Sequence, residues 1–181
     1  MKYSRILSTQ EIERTLTRFA HQVVEPFDDP SGLVLIGMQT RGVYLARRLR
    51  DRIKSYFNID VPLGILDITF YRDDFRSRTK MPSVQATDIP FDLDGKQVML
   101  VDDVLYTGRT VRSALEAIMG FGRPEGVRFC CLIDREHREL PIQADLIGRV
   151  IPTHEEEEIR VHLTEEDGED VVYVVQNTEE T

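Results

Sequence analysis

The chain of 181 residues is long enough for one globular domain with a hydrophobic core. Hydrophobic residues make up 41% of it and charged residues 30%, with 11 glycines and 8 prolines, which excludes fibrous, low-complexity and disordered proteins. The net charge of −9 argues against binding of nucleic acid or anionic membrane by the chain as a whole. However, residues 153–181 hold 11 of the 32 acidic residues and one of the 23 basic residues. Residues 1–152 are therefore close to neutral, and phosphate binding remains open there.

The cysteines, the apolar runs and the N-terminus together predict a cytoplasmic protein. Cys130 and Cys131 are adjacent in an apolar run, where side chains of an extended chain point to opposite faces, so we predict free thiols in a reducing compartment. The longest apolar run, at 33–38, is far shorter than the roughly 18 residues of a membrane helix. Residues 1–5 lack a secretory apolar segment. We therefore expect no membrane partner.

The first third of the chain predicts a helix, a strand and a second helix in that order. Apolar residues recur at helical spacing over 9–24, and Ser8 with Glu11 forms a capping-box signature in front of them. A continuous apolar run at 33–37 is typical of a strand buried on both faces. A second amphipathic helix is predicted after Thr40-Arg41-Gly42.

The middle of the chain continues this alternation. Strands are predicted at 64–71, 97–101 and 127–133, with a helix at about 109–119. The charged segment at 72–83 has no periodicity, and its length is typical of a lid or a binding loop. Alternating strands and helices indicate an α/β fold with a central parallel sheet flanked by helices.

The last part of the chain changes character. Residues 134–181 contain two short candidate strands, at 158–163 and 171–175. We predict a single domain spanning 1–181, in which a core of about 1–133 carries a hood and a C-terminal hairpin.

Two connections that leave the predicted strands are alike and suggest phosphate binding. Each starts a helix and combines hydroxyl, glycine and arginine residues: Thr40, Arg41 and Gly42 in the first, and Thr107, Gly108, Arg109 and Thr110 in the second. Ligands of open parallel sheets bind at the carboxyl ends of the strands. Arg109 and Arg112 in a first helical turn oppose the helix dipole, so their natural complement is an anion such as phosphate.

Asp102 and Asp103 stand side by side between a predicted strand and the second connection. Their like charges raise a pKa unless cations or hydroxyl donors share the site. The vicinal hydroxyls of a ribose, or a hydrated Mg²⁺, would satisfy them. The acid pair beside a phosphate cradle predicts a ribose-phosphate pocket. Kinase and dehydrogenase functions lose support because there is no P-loop sequence and Gly120-Phe121-Gly122 follows a helix, not a strand.

Residues 98–110, Val-Met-Leu-Val-Asp-Asp-Val-Leu-Tyr-Thr-Gly-Arg-Thr, resemble the 5-phosphoribosyl 1-diphosphate (PRPP) signature of type I phosphoribosyltransferases. Residues 67–74, 122–124 and 134–142 are similar to the PyrR family of pyrimidine operon attenuation regulators that are also uracil phosphoribosyltransferases. The likeness covers nearly the whole chain. It implies the type I phosphoribosyltransferase fold, Mg²⁺ as cofactor, PRPP and uracil as substrates, and UMP and diphosphate as products.

The resemblance also implies a role for each candidate residue. PRPP would be bound by Thr40, Arg41, Gly42, Asp102, Asp103, Val104, Leu105, Tyr106, Thr107, Gly108, Arg109 and Thr110. The implied catalytic residues are Arg41, Arg72, Asp102 and Asp103, the two arginines taking the charge of the departing diphosphate. Tyr71, Arg72, Asp73 and Asp74 would begin a lid, and Asp134, Arg135 and Ile151 would lie nearest uracil, which the hood reads largely through backbone groups. Mg²⁺ would meet Asp102 and Asp103 indirectly, through PRPP or water.

A second, regulatory activity is implied as well. Regulatory members bind pyrimidine operon leader RNA on a basic face and sense UMP or UTP, and phosphate contacts need Lys or Arg. This chain has Gln39 and Gln143 where such relatives tend to carry basic residues. The RNA candidates that remain are Arg18, His21, Thr40 and Arg149.

Three functions stay open at this point. The first is a uracil phosphoribosyltransferase, the second an RNA-binding attenuation regulator with little catalysis, and the third a phosphoribosyltransferase for a purine base or orotate. The family also implies a homodimer or a higher homo-oligomer.

Overall fold

The computed structural model describes residues 1–68, 86–154 and 156–176. In chain order these residues form β1 (Lys2–Leu7), α1 (Thr9–Val24), β2 (Leu33–Met38), α2 (Arg41–Phe57), β3 (Leu63–Leu66), β4 (Gln97–Leu105), α3 (Arg109–Ile118), β5 (Gly126–Asp134), β6 (Leu146–Val150), β7 (Glu157–His162), α4 (Thr164–Asp167) and β8 (Val171–Gln176). Short 3-10 turns lie at Pro30–Gly32 and Met119–Phe121.

A parallel sheet in the order β3-β2-β4-β5-β6 forms the centre of the molecule. Every residue of β2 is buried, and its alternate side chains enter two separate hydrophobic clusters. One cluster joins the sheet to α1 and α2, and the other joins it to α3. Helices therefore cover both faces, which confirms the predicted α/β class.

The capping box predicted in front of α1 is present. The backbone N–H of Ser8 donates to Oε2 of Glu11 at 2.8 Å, and the Ser8 hydroxyl donates to the same oxygen at 2.9 Å. The first bond satisfies a backbone N–H that the start of the helix leaves open, and the second links the two side chains.

The two cysteines behave as their positions in the sequence predict. Both are free and buried, and they face different hydrophobic clusters because successive side chains of β5 point to opposite faces. Burial raises the pKa of both thiols well above the ordinary value, so they are not reactive thiolates. None of the helices in the described part of the chain is long and apolar enough to cross a membrane.

A second, antiparallel sheet in the order β1-β8-β7, called the small sheet below, combines both ends of the described chain. The hairpin of β7 and β8 was predicted, but the boundary at residue 133 differs from the structure. Strand β6 belongs to the parallel sheet, and β1 belongs to the small sheet. Most of β1 is exposed, so it lacks the apolar alternation that predicts a strand and owes its conformation to pairing with β8.

Strand β4 is longer than predicted and reaches Leu105, not residue 101. Its pairing with β5 continues from Asp102 opposite Cys131 to Leu105 opposite Asp134. The prediction followed only the apolar run and therefore left out Asp102 and Asp103, which are charged but still belong to the strand. Strand β3 is shorter than the predicted 64–71, and residues 69–85 lie outside the described part.

Candidate active site

The carboxyl ends of β4, β5 and β6 meet at one edge of the parallel sheet. Leu105 lies opposite Asp134, and Asp134 lies opposite Val150. The N–H of Arg135 donates to the Leu105 carbonyl at 3.0 Å, and the N–H of Ile151 donates to the Asp134 carbonyl at 2.7 Å. The structure therefore brings together the three residues predicted to lie nearest the base.

Asp102 and Asp103 lie on the last part of β4, not in a loop. Oδ1 of the buried Asp102 accepts from the Asp103 N–H at 2.9 Å, and Oδ1 of Asp103 accepts from the Val104 N–H at 2.8 Å. Desolvation raises the pKa of Asp103, while the positive charge of Arg41 acts in the opposite direction. The sequence argument anticipated a raised pKa, but the main cause is burial and not the neighbouring carboxylate.

The start of α2 lies directly on β4 beside this acid pair. Thr40 is the N-cap of the helix, Arg41 is its first residue, and the Gln39–Thr40 peptide bond is cis. A Cβ atom at Gly42 would lie 2.5 Å from the Val101 carbonyl oxygen and 3.1 Å from Cα of Asp102. Only glycine permits this approach, which places the first turn of α2 against the carboxylates.

Arg41 has a partner that sequence reasoning missed. Its Nε donates to Oδ2 of Asp167 at 3.1 Å, and its Nη2 donates to Oδ1 of Asp167 at 2.7 Å. Asp167 ends α4 in the acidic C-terminal region, which the sequence analysis did not link to the site. The two residues are 126 positions apart, so no local pattern could indicate the pair.

The second connection is held by residues that follow β5. Gly108 caps α3 with φ of +88°, where a Cβ atom would lie 3.3 Å from Cβ of Ile142. The Thr107 carbonyl accepts from the N–H groups of Glu139 at 3.0 Å and Leu140 at 3.2 Å. Nε of Arg109 donates to Oε2 of Glu139 at 2.5 Å. The first turn of α3 contains no acidic residue.

Arg135 is buried and committed to contacts within the protein. Its Nε donates to Oγ1 of Thr153 at 2.9 Å, its Nη2 donates to the Glu157 carbonyl at 2.7 Å, and its guanidinium lies 4.0 Å from the Tyr106 ring centroid. The guanidinium of Arg135 therefore binds groups of the protein itself, and recognition of a base by the backbone of this segment stays a prediction.

Asp134 organises the same region from the end of β5. Its Oδ1 accepts from the Glu136 N–H at 2.8 Å, and its Oδ2 pairs with Arg138. Arg138 also donates to the carbonyls of Tyr106 and Ile142, each at 2.8 Å. This one arginine connects the end of β5 with the loop that leads to α3.

Four of the predicted residues cannot be placed. Tyr71, Arg72, Asp73 and Asp74 lie outside the described residues, so the lid and the catalytic role of Arg72 stay predictions.

Two of the four RNA candidates meet in a surface cleft of about 350 Å³. The cleft is lined by Leu7, Glu11, Arg14, Thr15, Arg18, Gly148 and Arg149. Arg18 donates to the carbonyls of Ile147 and Gly148 on the edge strand β6, at 3.0 and 3.1 Å. Nη2 of Arg149 donates to Oε1 of Glu11 at 2.9 Å.

The other two RNA candidates lie elsewhere. The His21 ring packs against Tyr56 and Phe57, with centroid distances of 5.3 and 5.0 Å, and Thr40 lies at the active-site edge. Arg14, which sequence reasoning did not select, completes the basic lining of the cleft and has no hydrogen-bond or ion-pair partner among the described residues.

Comparison with known proteins identifies the family. Residues 2–166 match the phosphoribosyl transferase domain model. The Bifunctional protein PyrR of Pelotomaculum thermopropionicum is 51% identical over 97% of this chain and 97% of its own length, and that of Deinococcus radiodurans is 50% identical over 92% and 91%. The hypoxanthine phosphoribosyltransferase of Trypanosoma cruzi shares the fold, with a TM-score of 0.73 and 17% identity over 96% of each chain. With both relatives matched along almost their whole length, this chain belongs to the PyrR family of phosphoribosyltransferases.

Proposed function

We propose that this chain transfers the phosphoribosyl group of PRPP to uracil and releases diphosphate. The observation that carries this proposal is the acid pair Asp102 and Asp103 on the end of β4, flanked by two helix starts that combine hydroxyl, glycine and arginine residues. Free N–H groups at a helix start bind phosphate, and carboxylates accept from sugar hydroxyls. The acid pair and the two helix starts would thus accommodate the ribose, the 5-phosphate and the diphosphate of PRPP at one edge of the sheet.

The proposed reaction breaks the bond between the anomeric carbon and the diphosphate oxygen and forms a bond from that carbon to the uracil nitrogen, whose proton is released to water. Positive charge develops on the sugar and negative charge on the leaving group. Arg41 at the start of α2 would bind the leaving group, and Asp102 and Asp103 would hold the sugar hydroxyls. The start of α3 would hold the 5-phosphate through Thr107, Gly108 and the following N–H groups.

The donor set fits a magnesium ion that binds mainly to substrate. The described residues contain no group of three or more His, Cys, Asp and Glu side chains that could hold a metal ion. Mg²⁺ usually keeps several waters and uses one or two carboxylates together with substrate phosphates, and Asp102 with Asp103 supplies such a pair. When bound, Mg²⁺ would neutralise charge on the departing diphosphate.

A panel of bases tests this function. The full chain with PRPP and Mg²⁺ is expected to form UMP from uracil and to leave hypoxanthine, guanine and orotate unchanged, measured by chromatography of the nucleotide products. EDTA serves as the control that removes the metal. Nucleotide formation from a purine or from orotate, without UMP from uracil, contradicts the proposal and supports a phosphoribosyltransferase for a purine base or orotate.

We also propose RNA binding as a second activity, because the cleft between α1 and β6 contains three arginines. Arg14, Arg18 and Arg149 line it together, and phosphate binding depends on such clusters. Arg18 and Arg149 each donate to protein oxygens, whereas none of the donors of Arg14 has a partner among the described residues, so Arg14 offers the most donors to a phosphate.

Filter binding to the leader RNA of the chain's own pyrimidine operon, with and without UMP, tests this activity. Arg14→Ala is expected to weaken binding several-fold and to reduce the salt dependence by about one counterion. Arg47→Ala, an exposed arginine outside the cleft, is the matched control. Weak binding that neither UMP nor Arg14→Ala changes would leave the enzyme as the only function.

Two further proposals concern the setting of this reaction. The free, buried thiols of Cys130 and Cys131 suit a reducing compartment, which supports the cytoplasm as its location.

The family supports a homodimer or a higher oligomer, for which sedimentation of the purified chain is the direct measurement.

A further inference from the structure

We infer that Asp167 is a positioning residue that holds Arg41 in the orientation needed to bind the diphosphate group. This inference rests on the proposed function, since it concerns how the same site recognises PRPP. Asp167 itself would not touch the substrate. It would act through the guanidinium of Arg41.

The geometry of the pair is that of a clamp. Both oxygens of Asp167 accept from Arg41, and Oδ2 of Asp167 also accepts from the Leu163 N–H at 2.9 Å. The side chains of Arg41 and Asp167 are only 32% and 16% exposed. A bidentate contact of this kind fixes the plane of the guanidinium as well as its position.

The clamp leaves enough donors for a ligand. A guanidinium has five N–H groups, of which Asp167 takes two, and the remaining three have no partner among the described residues. Arg41 is the first residue of α2, and the next residue, Gly42, lies directly against Val101 and Asp102 of β4, so Arg41 starts beside the acid pair. The charge of Asp103 also raises the pKa of Arg41. The free donors of Arg41 would therefore be available to a diphosphate group bound next to the acid pair.

The segment that carries Asp167 is itself anchored along one face of α2. Tyr44 donates its hydroxyl proton to Glu166 at 3.0 Å, and Arg48 binds Glu165 at 2.6 Å and Asp170 at 2.8 Å. Residues 41, 44 and 48 share this face because helical neighbours are three or four positions apart. Arg48 lowers the pKa of Asp170 to about 2, so this anchor is ionised at neutral pH.

The anchoring favours an Arg41–Asp167 pair that stays intact when the diphosphate binds over a pair, called a latch here, that must first break. A latch would require Arg41 to leave Asp167 before the diphosphate could bind, but three donors are available without that movement. An unclamped arginine would also lose rotamer freedom on binding, which would weaken its contact with the diphosphate. The negative charge of Asp167 would repel a diphosphate bound nearby. The clamp offsets this repulsion because it orients the free N–H groups of Arg41 before the diphosphate binds.

The test measures binding of diphosphate separately from catalysis. The dissociation constant of inorganic diphosphate with Mg²⁺ and the KM for PRPP are expected to rise about tenfold in Asp167→Asn. The dissociation constant of UMP, which lacks the diphosphate, and the KM for uracil are expected to stay within twofold. Asp167→Glu keeps a carboxylate for Arg41 and is expected to recover part of the loss.

Glu166→Gln is the matched control, because Glu166 anchors the same segment through Tyr44 without contacting Arg41. Equal losses in Glu166→Gln and Asp167→Asn would reduce Asp167 to a structural role. Unchanged or tighter diphosphate binding in Asp167→Asn would overturn the clamp. A wild-type chain that binds diphosphate and PRPP but makes no UMP would contradict the proposed function alone, because the binding comparison would still decide the role of Asp167.

Discussion

Asp103→Asn is expected to lower kcat/KM for PRPP by about 100-fold while leaving the fold intact. A hydrogen bond to a charged group contributes roughly 1.5–3 kcal/mol, and each 1.4 kcal/mol is a factor of ten in rate. Asparagine has the shape of aspartate, so its Oδ1 can still accept from the Val104 N–H as Asp103 does. What is lost is the negative charge that would bind the sugar hydroxyls and balance the developing positive charge.

Asp103→Asn is expected to lower activity without lowering the stability of the fold. Desolvation raises the pKa of Asp103, which means that its ionised form is unfavourable in the folded chain. Asparagine removes that cost, so the denaturation midpoint should stay equal or rise. Asp60→Asn, at an exposed aspartate paired with Lys54, is the control and should change neither quantity. If Asp103→Asn keeps activity within threefold of wild type, Asp103 has no part in the reaction.

The central sheet and the two helix starts could be predicted because their information is local. The run at 33–37 is apolar throughout, and the Thr-Gly-Arg-Thr sequence at 107–110 is contiguous in the chain. Backbone geometry then brings both connections to one edge, since parallel strands carry their carboxyl ends to the same side. The candidate site could therefore be predicted from short segments alone.

The contacts that complete the site could not be predicted, because they join distant parts of the chain. Strand β1 is mostly exposed and becomes a strand through pairing with β8, near the other end of the described residues. Asp167 lies in the acidic C-terminal region, where no local pattern indicates a part in the site, yet it binds Arg41 across 126 positions. A single sequence shows which residues are charged, but it does not show which oppositely charged residue each of them contacts.

Gly42→Ala is expected to disturb both the fold and the site. The added Cβ would lie 2.5 Å from the backbone carbonyl oxygen of Val101, a contact that no side-chain rotation relieves. Overpacking of this kind costs about 1–3 kcal/mol, which exceeds the gain of up to about 1 kcal/mol from replacing glycine in a helix. Denaturant unfolding measures the loss of stability.

The effect of Gly42→Ala on catalysis should exceed its effect on stability. Relief of the clash requires the first turn of α2 to move away from β4, which separates Arg41 from Asp102 and Asp103. A displacement of about 1 Å can cost 10²-fold in rate, so kcat/KM for PRPP should fall by about that factor. Gly32→Ala is the matched control, because a Cβ there meets nothing within 4 Å. A Gly42→Ala chain with wild-type stability and a wild-type KM for PRPP would show that α2 and β4 can separate without cost, contrary to a preorganised site.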